Sequence, residues 1–261
     1  MASARARLLG RQHFHAPQLF EALAPVRAFR SPGLYDLRPA AETLCGLADL
    51  PGPGSAGPRL TLHATELATG DSARFDSRVL QLRPEHVLAS ASLLPDYPPT
   101  EVDGRLLCDG GFSENLPLRA VLSRVPERAL LCVAVDLIPS VGEPRWSLDG
   151  MAERQMDLQF SSQTRRLIEA VEAELALAAE RSRKPLPPVV LAHLVHQGRE
   201  DAGSQKVYDF SRRNIASRRL KGLEEARAML TDLAARPAVP GLTVWRFPDA
   251  AAEPQVLPAA A

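Results

Sequence analysis

Cysteine is scarce: Cys45, Cys108 and Cys132 are the only three in 261 residues. Three thiols in apolar settings cannot frame a disulfide scaffold, and they show no metal-ligand spacing, so the chain is expected in a reducing compartment. Charge of one sign is missing too, because 31 Lys and Arg balance 31 Asp and Glu. Without a global positive field, nucleic acid is not an expected partner. The arginines Arg5, Arg7 and Arg11 are followed by no long apolar run. A secretory signal and a spanning helix are thereby excluded near the N-terminus, and the expected location is the cytoplasm. What is present suits a globular protein: 45% of residues are apolar and 24% charged. The length allows one α/β domain or a modest domain with an appendage.

The pattern along the chain alternates between the two regular periods. Asp36 precedes apolar positions at Leu37, Ala41, Leu44, Cys45 and Ala48, which predicts a short capped helix over 34–49. In RLTLHATELATG, the alternation predicts a strand with Leu60, Leu62 and Ala64 inward and Thr61, His63 and Thr65 outward. SARFDSRV reads as the next strand, PEHVLASASLL as a helix between Pro84 and Pro95, and EVDGRLLCDGG as a hairpin turned by Gly104. NLPLRAVLSRV then predicts a helix, and ALLCVAVDLI, residues 129–138, a strand covered on both faces. Residues 150–183 predict one long helix with Met156, Leu167, Ile168, Val171 and Leu175 on its apolar side. PVVLAHLV predicts a buried strand. A last helix follows Ser211 and stops at Pro237, with Ile215, Leu223, Ala226, Leu230 and Leu233 on its core side. The tail DAAAEPQVLPAAA has little to bury and is expected to be disordered.

Three groups of residues invite chemical readings. Asp109, at a predicted strand end, is followed by Gly110 and Gly111. Two glycines let backbone or substrate come close to a carboxylate, and a general base needs that closeness to reach a hydroxyl proton. Taken alone, the triplet is also an ordinary hairpin turn. Gly52, Gly54 and Gly57 satisfy GxGxxG formally, but a helix precedes them and Pro58 and a strand follow, so they read as a linker. His13 with His15, and His193 with His196, have no carboxylate or cysteine beside them at ligand spacing, so no metal or other cofactor is expected.

The order of features in residues 89–118 resembles the patatin-like phospholipase family. Ala89, Ser90, Ser92 and Pro95 form an Ala-Ser-rich helix end, and Pro98 and Pro99 a proline-rich turn. Gly104, Asp109, Gly110 and Gly111 give the G-x-x-x-x-D-G-G hairpin, and Asn115, Pro117 and Leu118 the N-x-P-L helix start. LYDLRPAAETL and RLTLHATELATG are also similar to that family's upstream segments, so the resemblance spans about residues 30–138. Residues 150–235 resemble the helical extension of some bacterial members. The resemblance implies a three-layer α/β/α fold, lipid acyl ester hydrolysis, and Asp109 as the base of a Ser-Asp dyad acting without histidine, with Gly110 and Gly111 forming its turn. Partial burial beside Leu107 and Cys108 would raise its pKa and strengthen it as a base.

The departure is equally definite, since no serine has glycines both two before and two after it. Ser31, Ser55 and Ser140 have only the later glycine, and Ser72 and Ser113 only the earlier. The G-x-S-x-G elbow and the glycine-rich oxyanion loop are missing, and without them the chain is expected to be inert on esters. The expectation is therefore an N-terminally incomplete core over residues 1–142, a helix-rich extension over 143–247 and a tail over 248–261. Truncation or a late start codon would account for the missing segment. A lipid or acyl ester is the expected partner, with transient contact at a membrane surface; the oligomeric state is left open. Two other readings are a non-catalytic relic that binds lipid or a protein partner, and an unrelated interaction module in which DGG is only a turn.

Overall fold

The computed structural model of the chain describes residues 9, 13–18, 33–47, 49–122, 126–138, 141, 146–181, 187–196 and 211–247. The expected tail therefore lies outside the described residues. Contacts divide the chain into two compact units, one of residues 1–117 with 204–211 and one of residues 118–203 with 212–261.

The first unit begins with a two-stranded antiparallel ribbon, β1 (Ala16–Pro17) against β2 (Tyr35–Asp36). Helix α1 (Arg38–Leu47) starts where the sequence suggests, because the Asp36 carboxylate accepts the Arg38 N–H at 2.9 Å and satisfies a donor that a helix start leaves open. Strands β3 (Thr61–Glu66), β4 (Ser72–Asp76), β5 (Thr100–Val102) and β6 (Arg105–Asp109) form an antiparallel sheet in the order β4-β3-β6-β5. Its β5–β6 hairpin turns on Asp103 and Gly104, at φ 51° and 78°, the two left-handed residues that a two-residue hairpin demands. Helix α2 (Pro84–Ala91) packs on this sheet, and the Arg83 N–H donates to His86 Nδ1 at 3.0 Å to secure its first turn. The core holds Ala64, Ala73, Phe75, Leu82, Ala89, Val102 and Leu107. Fully buried Leu107 contributes about 2–3 kcal/mol through its side chain alone.

The alternation expected in β3 differs from the structure. Ala64 is buried as foreseen, but His63 and Thr65 on the other face are buried as well, and Leu60 is exposed. The cause is a helix the sequence pattern did not place: α3 (Gly111–Glu114) begins at the second glycine of the pair and packs against β3. Of the predicted NLPLRAVLSRV helix, the described residues hold α4 (Arg119–Leu122), which is separate from α3 because Pro117 has no N–H to carry α3 onward.

The second unit is a parallel sheet, β7 (Leu130–Asp136), β8 (Pro188–Val195) and β9 (Gly241–Phe247), in that order. Parallel pairing requires long crossovers, supplied by α5 (Leu148–Arg181) and α6 (Arg212–Ala235). In α5, Ile168, Val171 and Leu175 are buried as the periodicity predicts. On one sheet face Met229 of α6 packs with Ala192, Leu194 and Phe247. The β7 residues of that face, Leu131, Val133 and Val135, stay 54%, 46% and 52% exposed, so β7 is covered on one face, not on both as its apolar run suggested. The α/β class expected from sequence is what the chain shows. The compact units part after Pro117, and β7 takes β8 as its partner within the second.

Candidate active site

Asp109 is the last residue of β6, and its Cα stands opposite Ala64 of β3. Paired residues of antiparallel strands share a face, so Asp109 lies on the core face with Ala64 and Leu107. His63 takes the other face. Three elements fix the Asp109 backbone. Its N–H donates to the Ser92 carbonyl just beyond α2 at 2.9 Å, the Thr65 hydroxyl of β3 lies 2.9 Å from its carbonyl oxygen, and α3 starts two residues later.

Thr65 acts as a hub in this arrangement. Its Oγ1 also lies 2.9 Å from the Ser113 hydroxyl and accepts the Ser113 N–H at 3.1 Å, tying α3 to β3. Ser92 is similarly placed, fully buried with its hydroxyl donating to the Leu88 carbonyl at 2.8 Å and lying 2.9 Å from Thr100 Oγ1. The alternation of β3 places Thr65 in solvent, so its part here is not visible in the sequence.

The two glycines differ in function. Gly110 has an ordinary helical φ of −62°, so conformational freedom does not explain it. Space does: a Cβ there would stand 2.5 Å from the His63 carbonyl oxygen and 2.8 Å from its carbon. Gly111 supplies a donor, its N–H meeting Asp109 Oδ1 at 2.7 Å. That is the one side-chain hydrogen bond of Asp109, and the carboxylate has no ion pair, among the described residues.

The electrostatics follow from this placement. Burial pushes the Asp109 carboxyl above its ordinary value, and the Gly111 N–H pulls it back only in part. Burial also raises the Cys108 thiol, helped by the neighbouring carboxylate of Asp109. His63 moves the other way: burial, reinforced by Arg74, lowers it, although Glu114 Oε2 lies 3.4 Å from its Nδ1.

The raised Asp109 carboxyl has a thermodynamic signature. A group whose folded pKa lies above its unfolded value adds stability below the unfolded pKa and loses it as pH rises through the folded one. Asp109→Asn, which keeps the acceptor for the Gly111 N–H but cannot ionise, should therefore raise Tm near neutral pH by a few degrees. The advantage should vanish at about pH 4 and below, where the unfolded carboxyl is protonated as well. Thermal melts of both proteins across that range check it.

His193 lies 3.5 Å from Asp136 and His196 lies 3.7 Å from Glu225, so each faces a carboxylate of its own. His15 packs against Tyr35 and Tyr97, with ring centroids at 4.6 and 5.9 Å. Gly52 lies in a loop, and Gly54 and Gly57 hold φ of 85° and 123°. Among the described residues no three His, Cys, Asp or Glu side chains could hold a metal ion together, and no helix is long and apolar enough to cross a membrane.

Residues 159–239, which take in most of α5, all of β8 and α6, match the family profile described as patatin phospholipase. No curated protein matches the chain. The C-terminal part is thus similar to patatin phospholipases over a segment that does not include Asp109.

Proposed function

We propose that this chain, whose C-terminal part matches a patatin phospholipase profile, carries the base of a lipid acyl hydrolase, and that Asp109 is that base. The observation that carries the reading is the half-buried Asp109 carboxylate, raised by burial and held by a single backbone N–H. With Oδ1 engaged by Gly111, Oδ2 is the oxygen that takes a proton from a serine hydroxyl. A carboxylate with a raised pKa is a stronger base, which suits a dyad that works without imidazole. The orientation of His63 away from Asp109 agrees with such a dyad. Gly110 keeps the carboxylate seated by letting the turn rest on the β3 backbone.

No serine here sits in a G-x-S-x-G elbow, so this reading takes the hydroxyl to be supplied by polypeptide outside this sequence. Translating the DNA upstream of Met1 in frame tests this directly. The expected result is a G-x-S-x-G preceded by a glycine-rich loop, and an extended protein whose serine is labelled by a fluorophosphonate. An upstream frame that lacks both would favour the second reading, a non-catalytic scaffold that binds lipid or a partner, which the missing elbow supports.

A further inference from the structure

Helix α6 carries two apolar stripes. One turns to the sheet, where Met229 is buried with Leu233 beside it. The other, through Ala216, Leu220, Leu223, Leu230 and Ala234, recurs at helical spacing on the opposite side and is exposed throughout, with Leu220 at 62% and Leu230 at 55%. The sequence pattern assigns Ile215, Leu223 and Leu230 to the core, and the structure, in which all three are exposed, corrects this: Met229 occupies the core position. Isolated exposed leucines are ordinary, but a continuous stripe along a helix is not.

Positive charge predominates around that stripe. Arg227 stands within it, Arg212, Arg213 and Arg219 are also exposed, and Glu224 is the one exposed acid of the helix. The other acids nearby are engaged, Glu225 beside His196 and Asp232 with Arg236 at 2.7 Å. None of the four arginines has an ion pair among the described residues. Leucines bounded by unpaired guanidinium groups match a lipid–water interface, where apolar side chains enter the acyl boundary and arginines hold phosphate oxygens.

We propose that the outward face of α6 docks on an anionic phospholipid surface. The proposal rests on the lipid acyl hydrolase reading for its purpose, since that substrate is found in such a surface. The spread of arginines from Arg212 to Arg227 along the helix favours a bilayer over a single acidic peptide.

Vesicle flotation tests it, because aggregated protein sinks while bound protein rises. The chain should float with vesicles of phosphatidylcholine and phosphatidylglycerol in equal parts, stay behind with pure phosphatidylcholine, and be released by high salt. R219Q/R227Q should partition roughly thirtyfold more weakly, each arginine near an anionic surface being worth about a fivefold change. L220S/L223S should also lose binding while circular dichroism stays that of the parent. Equal flotation with both vesicles, or unchanged flotation of the variants, would overturn the proposal. A dimer by sedimentation velocity that R219Q/R227Q converts to monomer would also overturn it, by assigning the face to a second copy. Asp109→Asn should float like the parent, so failure of the hydrolase reading leaves this measurement intact.

Discussion

Asp109→Asn, in a polypeptide that includes the upstream serine, should lower kcat on a short-chain nitrophenyl ester by roughly 100- to 10,000-fold, the usual worth of a positioned general base. KM should change little, because the carboxylate contacts the serine proton and not the acyl chain. Asparagine keeps the acceptor that the Gly111 N–H needs, so the hairpin end retains its shape. Loss of rate together with an unchanged or raised Tm would separate a chemical role from a structural one. An asparagine variant with parental kcat would remove Asp109 from the mechanism.

Gly110→Ala should cost about 1–3 kcal/mol of stability, the range for overpacking a well-packed interior. The added methyl meets the His63 carbonyl oxygen at 2.5 Å, and a main-chain atom in the middle of a sheet cannot swing aside as a side-chain tip can. Relief would require β3 and the DGG turn to part, which strains the Thr65 contacts with Asp109 and Ser113. Gly54→Ala offers a useful contrast: its Cβ would meet nothing within 4 Å, and only the strain of its φ of 85° remains. Urea denaturation of both variants measures the difference. A parental midpoint for Gly110→Ala would refute the steric account of the first glycine.

Local chemistry made some of this arrangement legible in the sequence. Asp36 as a cap, Pro84 in a first turn, and Gly104 in a two-residue hairpin act within a few residues, and each stands where the pattern put it. The placement of Asp109 at a strand end was readable for the same reason. The burial of His63 and Thr65 was not, because it depends on α3, which follows β3 by more than forty residues and is too short to announce itself by periodicity. Helix α6 misled differently. Its residues show more than one apolar stripe, and the pattern alone cannot tell which one meets the sheet. Whether a strand as apolar as β7 is covered on one face or two is likewise decided by its neighbours and not by its own side chains.

The order in which β7 and β8 leave the ribosome has a further effect. About fifty residues separate the end of one strand from the start of the other. At a synthesis pace of ~5–20 residues per second, the earlier strand waits several seconds for its mate. Throughout that delay the amides of β7 are unpaired, and Cys132 and Ala134, buried in the fold, are bare beside the exposed Leu131, Val133 and Val135, a species prone to self-association before the crossover helix can close the loop. Co-expression of a holdase chaperone should therefore improve recovery more than any change of buffer after the chain has been released.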